Sequence, residues 1–421
     1  MFGNLLNDLV LILLFIVVLG FINEMTLKLP TEIALMLYAF IVGIILLIVD
    51  MCSANTILDD FRARMHSVSL DDFLMHGVLC FMLFAGSCRM RKQDFKKSLK
   101  LITSLSLLTT LAGALIYGFL FYGIVYLLKL PLTLPMCLLF GSIVAPTDPI
   151  AATSILPKFG LPKETGFVIQ GESLFNDGVG VALYVCFKSM LVDSTEHQGF
   201  FQVMFRELFG AAAVGIIISL ILFQLFRTTR DEYRQISISL LAVASAYLIC
   251  EYFGFSGAIA SVICGITFGT ETEKYAEKHN VPMYAYHHFW EILDTMLNRI
   301  LYVMLGLSFL PVLNIQHVFL MSIICIVINL IARSASVWVA CLLCHPLPDN
   351  FKVPQFIAIL TWGGMRGGLC LALAMESSRI LSNEVYLIII ACTYIVIFFT
   401  TIVQGLTMPI IYKKICPFVS Q

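Results

Sequence analysis

This sequence has little charge: only 13% of its 421 residues are Asp, Glu, Lys or Arg, and the formal net charge is −1. No global field of either sign therefore points toward nucleic acid or another charged macromolecule. N-x-S/T sequons are absent, so glycosylation gives no topological clue. The Tyr-Asp and Gly-x-Gly-Asp pairs that an intramembrane aspartyl protease would need are also missing, as are a pore-loop filter and a ligand-gating domain. Thirteen Cys are present, but most stand inside apolar runs, among them Cys80, Cys186, Cys264, Cys325 and Cys392, where they read as small reduced hydrophobes. Cys341 and Cys344 have C-x-x-C spacing without a second pair or a βαβ context, a weak signal.

What fills the space left by charge is apolar surface. Hydrophobic residues make up 59% of the chain and the mean hydropathy is +0.93, values that imply a membrane as solvent. Apolar runs recur near 5–23, 29–50, 71–88, 100–128, 134–157, 165–191, 204–226, 234–253, 256–270, 290–310, 315–344, 354–377 and 385–412. Each approaches or exceeds the roughly 20 residues that cross a hydrocarbon layer as a helix. The first is too long for a signal-peptide core and lacks a basic lead-in, so it reads as a span. The expected fold is thus an all-α integral membrane protein of about thirteen spans in one domain, 1–421.

Lys and Arg fall unevenly between alternate loops. One set, which includes Lys28, the run Arg89 to Lys100, Arg227, Arg230, Arg234, Lys352, Lys413 and Lys414, holds 17; the other, Arg62, Arg64, Lys129, Arg206 and Arg379, holds 5. The positive-inside rule then puts the N-terminus outside and the C-terminus in the cytoplasm.

Four basic residues lie inside apolar runs: Lys188, Arg299, Arg333 and Arg366. Lys188 stands near a span end and can snorkel, whereas Arg366 is mid-span, where a charge costs about 2.5 to 3.5 kcal/mol on insertion scales and needs a partner or water. Three acids share that depth. Asp148 stands in Ala145-Pro146-Thr147-Asp148-Pro149, and Glu172 and Asp177 stand in Gly171-Glu172-Ser173-Leu174-Phe175-Asn176-Asp177-Gly178. Pro146 and Pro149 each remove a backbone donor, so the fifth span is expected to break at Asp148. Trp362-Gly363-Gly364-Met365-Arg366-Gly367-Gly368 loosens the twelfth in the same way. Two broken spans seven apart, crossing in opposite directions, are the mark of an inverted repeat: 1–191 against 234–412, with 204–226 as connector.

Glu172, Ser173, Asn176 and Asp177 stand at i, i+1, i+4 and i+5, one polar face of a helix. Oxygen donors suit a hard monovalent cation, and a carboxylate in a low-dielectric site holds either that cation or a proton. Arg333 fits two roles, a second counter-ion of the site or a charge at a helix C-terminus. Arg299 most simply pairs with Asp294 or Glu291. Gly257, Ser261, Gly265 and Gly269 repeat every fourth residue, which suits close approach of a neighbouring helix. His279, His287 and His288 cluster in the loop before the tenth span, where loop histidines are usually bystanders but can also sense pH.

On its three motifs, Ala145–Pro149, Gly171–Gly178 and Gly363–Gly368, the chain resembles the cation:proton antiporter-1 family, the sodium/proton antiporters and exchangers. That resemblance implies a Na⁺ (or Li⁺)/H⁺ antiporter rather than an enzyme, with K⁺ as the alternative cation, no cofactor, and a role in pH homeostasis. It implies Asp177 as the shared cation and proton site, Thr147, Asp148 and Ser173 as helpers in holding Na⁺, and Glu172 paired with Arg366. Asn176 beside Asp177 implies electroneutral one-for-one exchange. The family fold is a dimer of thirteen-span protomers in the cell membrane, each with a core that moves like an elevator. The third span, Phe81-Met82-Leu83-Phe84-Ala85-Gly86, lacks the double proline of animal exchangers, which points to a bacterial-type member.

Overall fold

The computed structural model describes residues 2–52, 77–90, 92–149, 153, 155–192, 200–307, 318–344 and 347–415. The start of the expected third span, the loop carrying Arg62 and Arg64, and the edges of the expected tenth and eleventh spans lie outside the described residues. All regular structure among the described residues is helical. In chain order the helices are α1 (Phe2–Met25), α2 (Thr31–Cys52), α3 (Leu79–Cys88), α4 (Lys92–Leu128), α5 (Leu134–Val144), α6 (Lys163–Val192), α7 (Phe200–Phe226) and α8 (Glu232–Phe253). There follow α9 (Gly257–His279), α10 (Tyr284–Leu307), α11 (Val318–Leu343), α12 (Val353–Trp362), α13 (Gly368–Glu376), α14 (Asn383–Phe398) and α15 (Gly405–Ile415). Residues Phe399–Gln404 form a π-turn that joins the last two into one rod.

Local chemistry sets the ends. Asp231 accepts a hydrogen bond from the Tyr233 N–H to start α8, and Gly254, at φ +68°, closes it in the left-handed conformation that suits a residue without Cβ. Only Phe255 separates that glycine from Ser256, whose hydroxyl caps α9 through the Ile259 N–H. Six helices are long and apolar enough by length and composition to cross a membrane, including α4, α6, α7, α8 and the α14–α15 rod. The shorter ones include the two interrupted crossings, α5 with the chain after it and α12 with α13.

The helices sort into two sets that pack chiefly among themselves. One contains α4, α5, α6, α11, α12, α13 and α14; the other contains α1, α2, α3, α7, α8, α9 and α10. In the second set the small-residue stripe of α9 does what its spacing suggested. A side chain at Gly265 would meet the Phe84 carbonyl and one at Gly269 the Cys88 carbonyl, so α3 rides directly on this face. The two sets part around a cavity that reaches the two broken crossings.

Candidate cation site

The site is built where two helices stop. After Val144 the chain cannot continue α5, because Pro146 and Pro149 have no N–H to give. It runs extended instead, and the Asp148 N–H donates to the Met365 carbonyl at 2.7 Å, in the gap between α12 and α13. The two interruptions thus satisfy each other through one antiparallel bridge. Each also leaves a helix C-terminus whose last carbonyls lack intrahelical donors and carry partial negative charge.

An arginine answers each of those ends. Arg366, from the second interruption, donates through Nη1 to the Ala145 and Pro146 carbonyls at 2.6 and 2.9 Å, capping α5. Its remaining donors go to Asn329 Oδ1 at 3.0 and 3.3 Å, and Thr400 and Thr401 of the π-turn hold its own backbone N–H and carbonyl. Arg333 of α11 donates through Nε to the Leu360 carbonyl, in the last turn of α12, at 3.2 Å.

The structure corrects the expected ion pair. Glu172 does not pair with Arg366; it forms a bidentate pair with Arg333 at 2.9 and 3.1 Å, with both side chains buried. Arg366 has its guanidinium committed to carbonyls and Asn329, whereas Arg333 keeps two nitrogens for a carboxylate after capping α12. Both roles left open for Arg333 are filled at once. Thr109 Oγ1 donates to Glu172 Oε1 at 2.8 Å and completes this buried knot.

Asn176 serves the frame. Its Oδ1 accepts the Thr147 N–H at 3.1 Å, and its Nδ2 donates to Thr147 Oγ1 at 2.6 Å and to Glu172 Oε1 at 3.4 Å. Ser173 Oγ donates to the Thr147 carbonyl. Thr147 is therefore held through its backbone N–H, backbone carbonyl and hydroxyl by two residues of α6. This is how an α-helix grips a strand-like segment that has no ladder of its own.

A cavity of about 370 Å³ opens onto this frame, and Thr147, Asp148 and Asp177 line it together with Gln170 and Gly367. Ser173, Asn176, Glu172, Arg333 and Arg366 are not among its lining residues. The predicted set is thus split: Thr147, Asp148 and Asp177 line the cavity, and the others form the frame behind them. Asp148 Oδ2 accepts a hydrogen bond from Tyr302 of α10 at 2.7 Å. Asp177 has no hydrogen bond to any described residue, so its carboxylate oxygens remain available to whatever enters. Toward the mouth the lining includes Glu32, Glu291, and Asp294 in an ion pair with Arg89.

Tyr302, Asn329, Thr109 and the Thr400–Thr401 pair were not singled out from sequence. Each is one polar group in an apolar helix, a pattern that also fits a self-satisfied hydroxyl or amide. The expected partners of Arg299 are likewise corrected. Asp294 goes to Arg89 and to Asn298, and Arg299 Nε is buried with no hydrogen bond among the described residues. Five residues apart on one helix, Asp294 and Arg299 point about 140° apart and cannot meet. Lys188, expected to snorkel, reaches Glu376 at 2.7 Å. Of the three histidines, His287 is exposed on α10, and partial desolvation, opposed by Glu273, sets its pKa below the ordinary histidine value.

Comparison with known proteins agrees with this architecture. A family profile described as the transmembrane sodium/hydrogen exchanger matches residues 10–414. The Na⁺/H⁺ antiporter NhaP of Pseudomonas aeruginosa is 28% identical over 409 residues, covering 94% of each chain. The Na⁺/H⁺ antiporter NhaH of Halobacillus aidingensis is 28% identical over 326 residues, 75% of this chain and 76% of that one. Among solved structures, a sodium proton antiporter of Methanocaldococcus jannaschii at pH 8 superposes with a TM-score of 0.75 at 21% identity, covering 98% of this chain and 99% of the other. The fold is shared with it.

Proposed function

This chain belongs to the transmembrane sodium/hydrogen exchanger family, and we propose that the seat of its Na⁺/H⁺ exchange is Asp177. The observation that carries the assignment is that Asp177, alone among the three central acids, lines the cavity with no hydrogen bond to a described residue. Glu172 is tied to Arg333, and Asp148 accepts from Tyr302. A carboxylate with open lone pairs beside Thr147 and Asp148 offers oxygens to Na⁺ or takes one proton, and either load cancels its charge. An uncompensated carboxylate is costly in a low-dielectric site, so the unloaded form is disfavoured and the two ions replace each other.

One exchangeable carboxylate supports one Na⁺ per proton, and Asn176, where a second acid would stand, is neutral. The same oxygens could hold K⁺, which is the competing reading. In proteoliposomes with an imposed pH gradient, Na⁺ and Li⁺ are expected to dissipate the gradient and K⁺ to do so poorly, with the Na⁺ rate unchanged when a membrane potential is clamped across the vesicle. A rate that follows the potential would show unequal charge movement and remove the one-for-one reading; an equal response to K⁺ would remove Na⁺ selectivity.

The set containing α5, α6, α12 and α13 carries the site, and the set containing α1 to α3 and α7 to α10 lies across the cavity from it. We take the first as the moving core and the second as the scaffold, which in this family reading also forms a homodimer. With the N-terminus outside, the cavity mouth at Glu32, Arg89 and Asp294 faces the cytoplasm of a bacterial-type plasma membrane. Tyr302 then spans the sliding boundary, since α10 belongs to the scaffold and Asp148 to the core. A hydrogen bond to a charged group contributes about 1.5 to 3 kcal/mol. Tyr302→Phe should therefore shift the population away from this cavity-open state by roughly tenfold or more, using about 1.4 kcal/mol per decade. The measurement is the labelling rate of a cysteine introduced at Met82, on the cavity wall. Unchanged labelling would confine Tyr302 to local packing.

A further inference from the structure

A second opening lies on the far side of the core, away from Asp177. It is an apolar groove of about 510 Å³ between α11, α12 and α15, with Trp338, Pro354, Ile357, Trp362 and Ile411 among its walls. Its length is set by α12, whose ten residues rise about 15 Å, half of a hydrocarbon core roughly 30 Å thick. The groove therefore runs from one membrane surface to the midplane. Its deep end is closed by Ser334, whose hydroxyl meets Thr361 Oγ1 at 3.4 Å, and the Trp362 indole N–H is satisfied by Thr407 Oγ1 at 2.9 Å. What remains exposed inside is hydrocarbon and ring face, including Trp338 at 52% exposure.

Two lysines stand at the groove's rim. Lys352 stands at the start of α12, immediately before the groove residues Val353 and Pro354, and Gln355 Nε2 donates to the Ile415 carbonyl at 3.0 Å, which brings the end of α15 with Lys414 to the same rim. Lys352 and Lys414 are exposed and no described acid pairs with either. Two of the three tryptophans of the chain line this one groove, and the third, Trp290, is fully buried elsewhere. Lysines at the mouth stand at headgroup level, and the tryptophan rings line the apolar wall that runs inward from them.

We propose that this groove is a binding site for one anionic phospholipid of the leaflet at the lysine end, with an acyl chain along Trp338 and Trp362 and the phosphate between Lys352 and Lys414. Its walls make the occupant relevant to transport. Trp362 is the last residue before the Gly363–Gly367 interruption that presents Arg366, and α15 continues from the π-turn whose Thr400 and Thr401 hold the Arg366 backbone. A chain packed there braces the segment that caps α5 without touching the cation.

The test uses the two tryptophans as reporters. The full chain is reconstituted in phosphatidylcholine vesicles containing equal mole fractions of brominated phosphatidylglycerol or brominated phosphatidylcholine, and tryptophan quenching gives the relative binding constant. The anionic lipid should be favoured on the order of tenfold at low salt, from a modest contribution per lysine near the surface, and Lys352→Gln with Lys414→Gln should bring the ratio to about one. Trp338→Phe should remove a large part of the lipid-dependent quenching and serves as the variant that leaves the rim intact. A ratio near one in the unaltered chain, or a preference that survives the lysine changes, overturns the proposal. Disulfide capture of Trp338→Cys by a second copy in the membrane would show the groove to be a contact between chains and would overturn it too. Because the readout is binding, failure here leaves the Asp177 assignment standing, and failure of exchange leaves the lipid site standing.

Discussion

Asp177→Asn is expected to reduce Na⁺-driven proton flux in proteoliposomes to the protein-free background while the protein stays folded. The asparagine keeps the size and polarity of the side chain but can neither release a proton nor neutralise a bound Na⁺, so both half-reactions lose their seat together. Folding should survive because Asp177 has no hydrogen bond to a described residue to lose, and removing a buried charge relieves a desolvation cost. Asp148→Asn is the informative contrast. That change retains an acceptor for Tyr302 and a working Asp177 but withdraws one negative charge from the cavity. Two unit charges about 4 Å apart interact by about 1 to 4 kcal/mol between water-like and surface-like screening, so the apparent Na⁺ affinity should fall about tenfold or more with exchange still measurable. If Asp177→Asn exchanges and Asp148→Asn does not, the roles are reversed and the reading given above is wrong.

The contrast between these two acids marks how far the sequence alone could be read. The break at Asp148 was legible because proline chemistry is local: two missing N–H groups within four residues end a helix in any environment. The looseness around Arg366 was legible for the same reason, from four glycines. The depth shared by Asp148, Glu172, Asp177 and Arg366 followed from counting along apolar runs, and the helix face of α6 from its period. Pairing was not legible. With two arginines and three acids at one depth, the sequence permits several matchings, and the choice is made by backbone carbonyls that exist only once α5 and α12 have stopped. Those carbonyls, together with Asn329, claim Arg366, and the Leu360 carbonyl claims Arg333 in part, which leaves Glu172 to Arg333. The role of Asn176 was hidden likewise. From sequence it is an oxygen donor beside Asp177, and only the fold turns both ends of its amide onto Thr147. Tyr302 could have been found by noting that Asp294, Asn298 and Tyr302 recur every four residues on α10 and so form a stripe, a pattern obscured by the aromatic and apolar residues between them.

The Glu172–Arg333 pair yields the second large effect. Removing one member of a buried ion pair leaves the other uncompensated, a loss of about 3 to 5 kcal/mol, so Arg333→Met is expected to lower thermal stability in detergent sharply and to abolish exchange through misfolding. Arg333 also caps α12, which adds the cost of an unsatisfied Leu360 carbonyl. Glu172→Gln introduced on top of Arg333→Met removes the stranded charge while keeping an acceptor for Thr109, and part of the stability should return. The corresponding cycle with Arg366 behaves differently, because Arg366→Met strips the Ala145 and Pro146 carbonyls of their donor and Glu172 plays no part in that loss. A double-mutant cycle should therefore give a coupling of 1 kcal/mol or more, within the roughly 0.5 to 3 kcal/mol found for contacting groups, between Glu172 and Arg333, and a clearly smaller one between Glu172 and Arg366. The opposite ranking would restore the pairing that the three motifs imply and would mean that the core rearranges around Glu172. If the folded Glu172→Gln, Arg333→Met protein regains exchange as well as stability, the pair is a strut for the Thr147 segment. A folded but inactive double variant would instead make its charge a participant in transport.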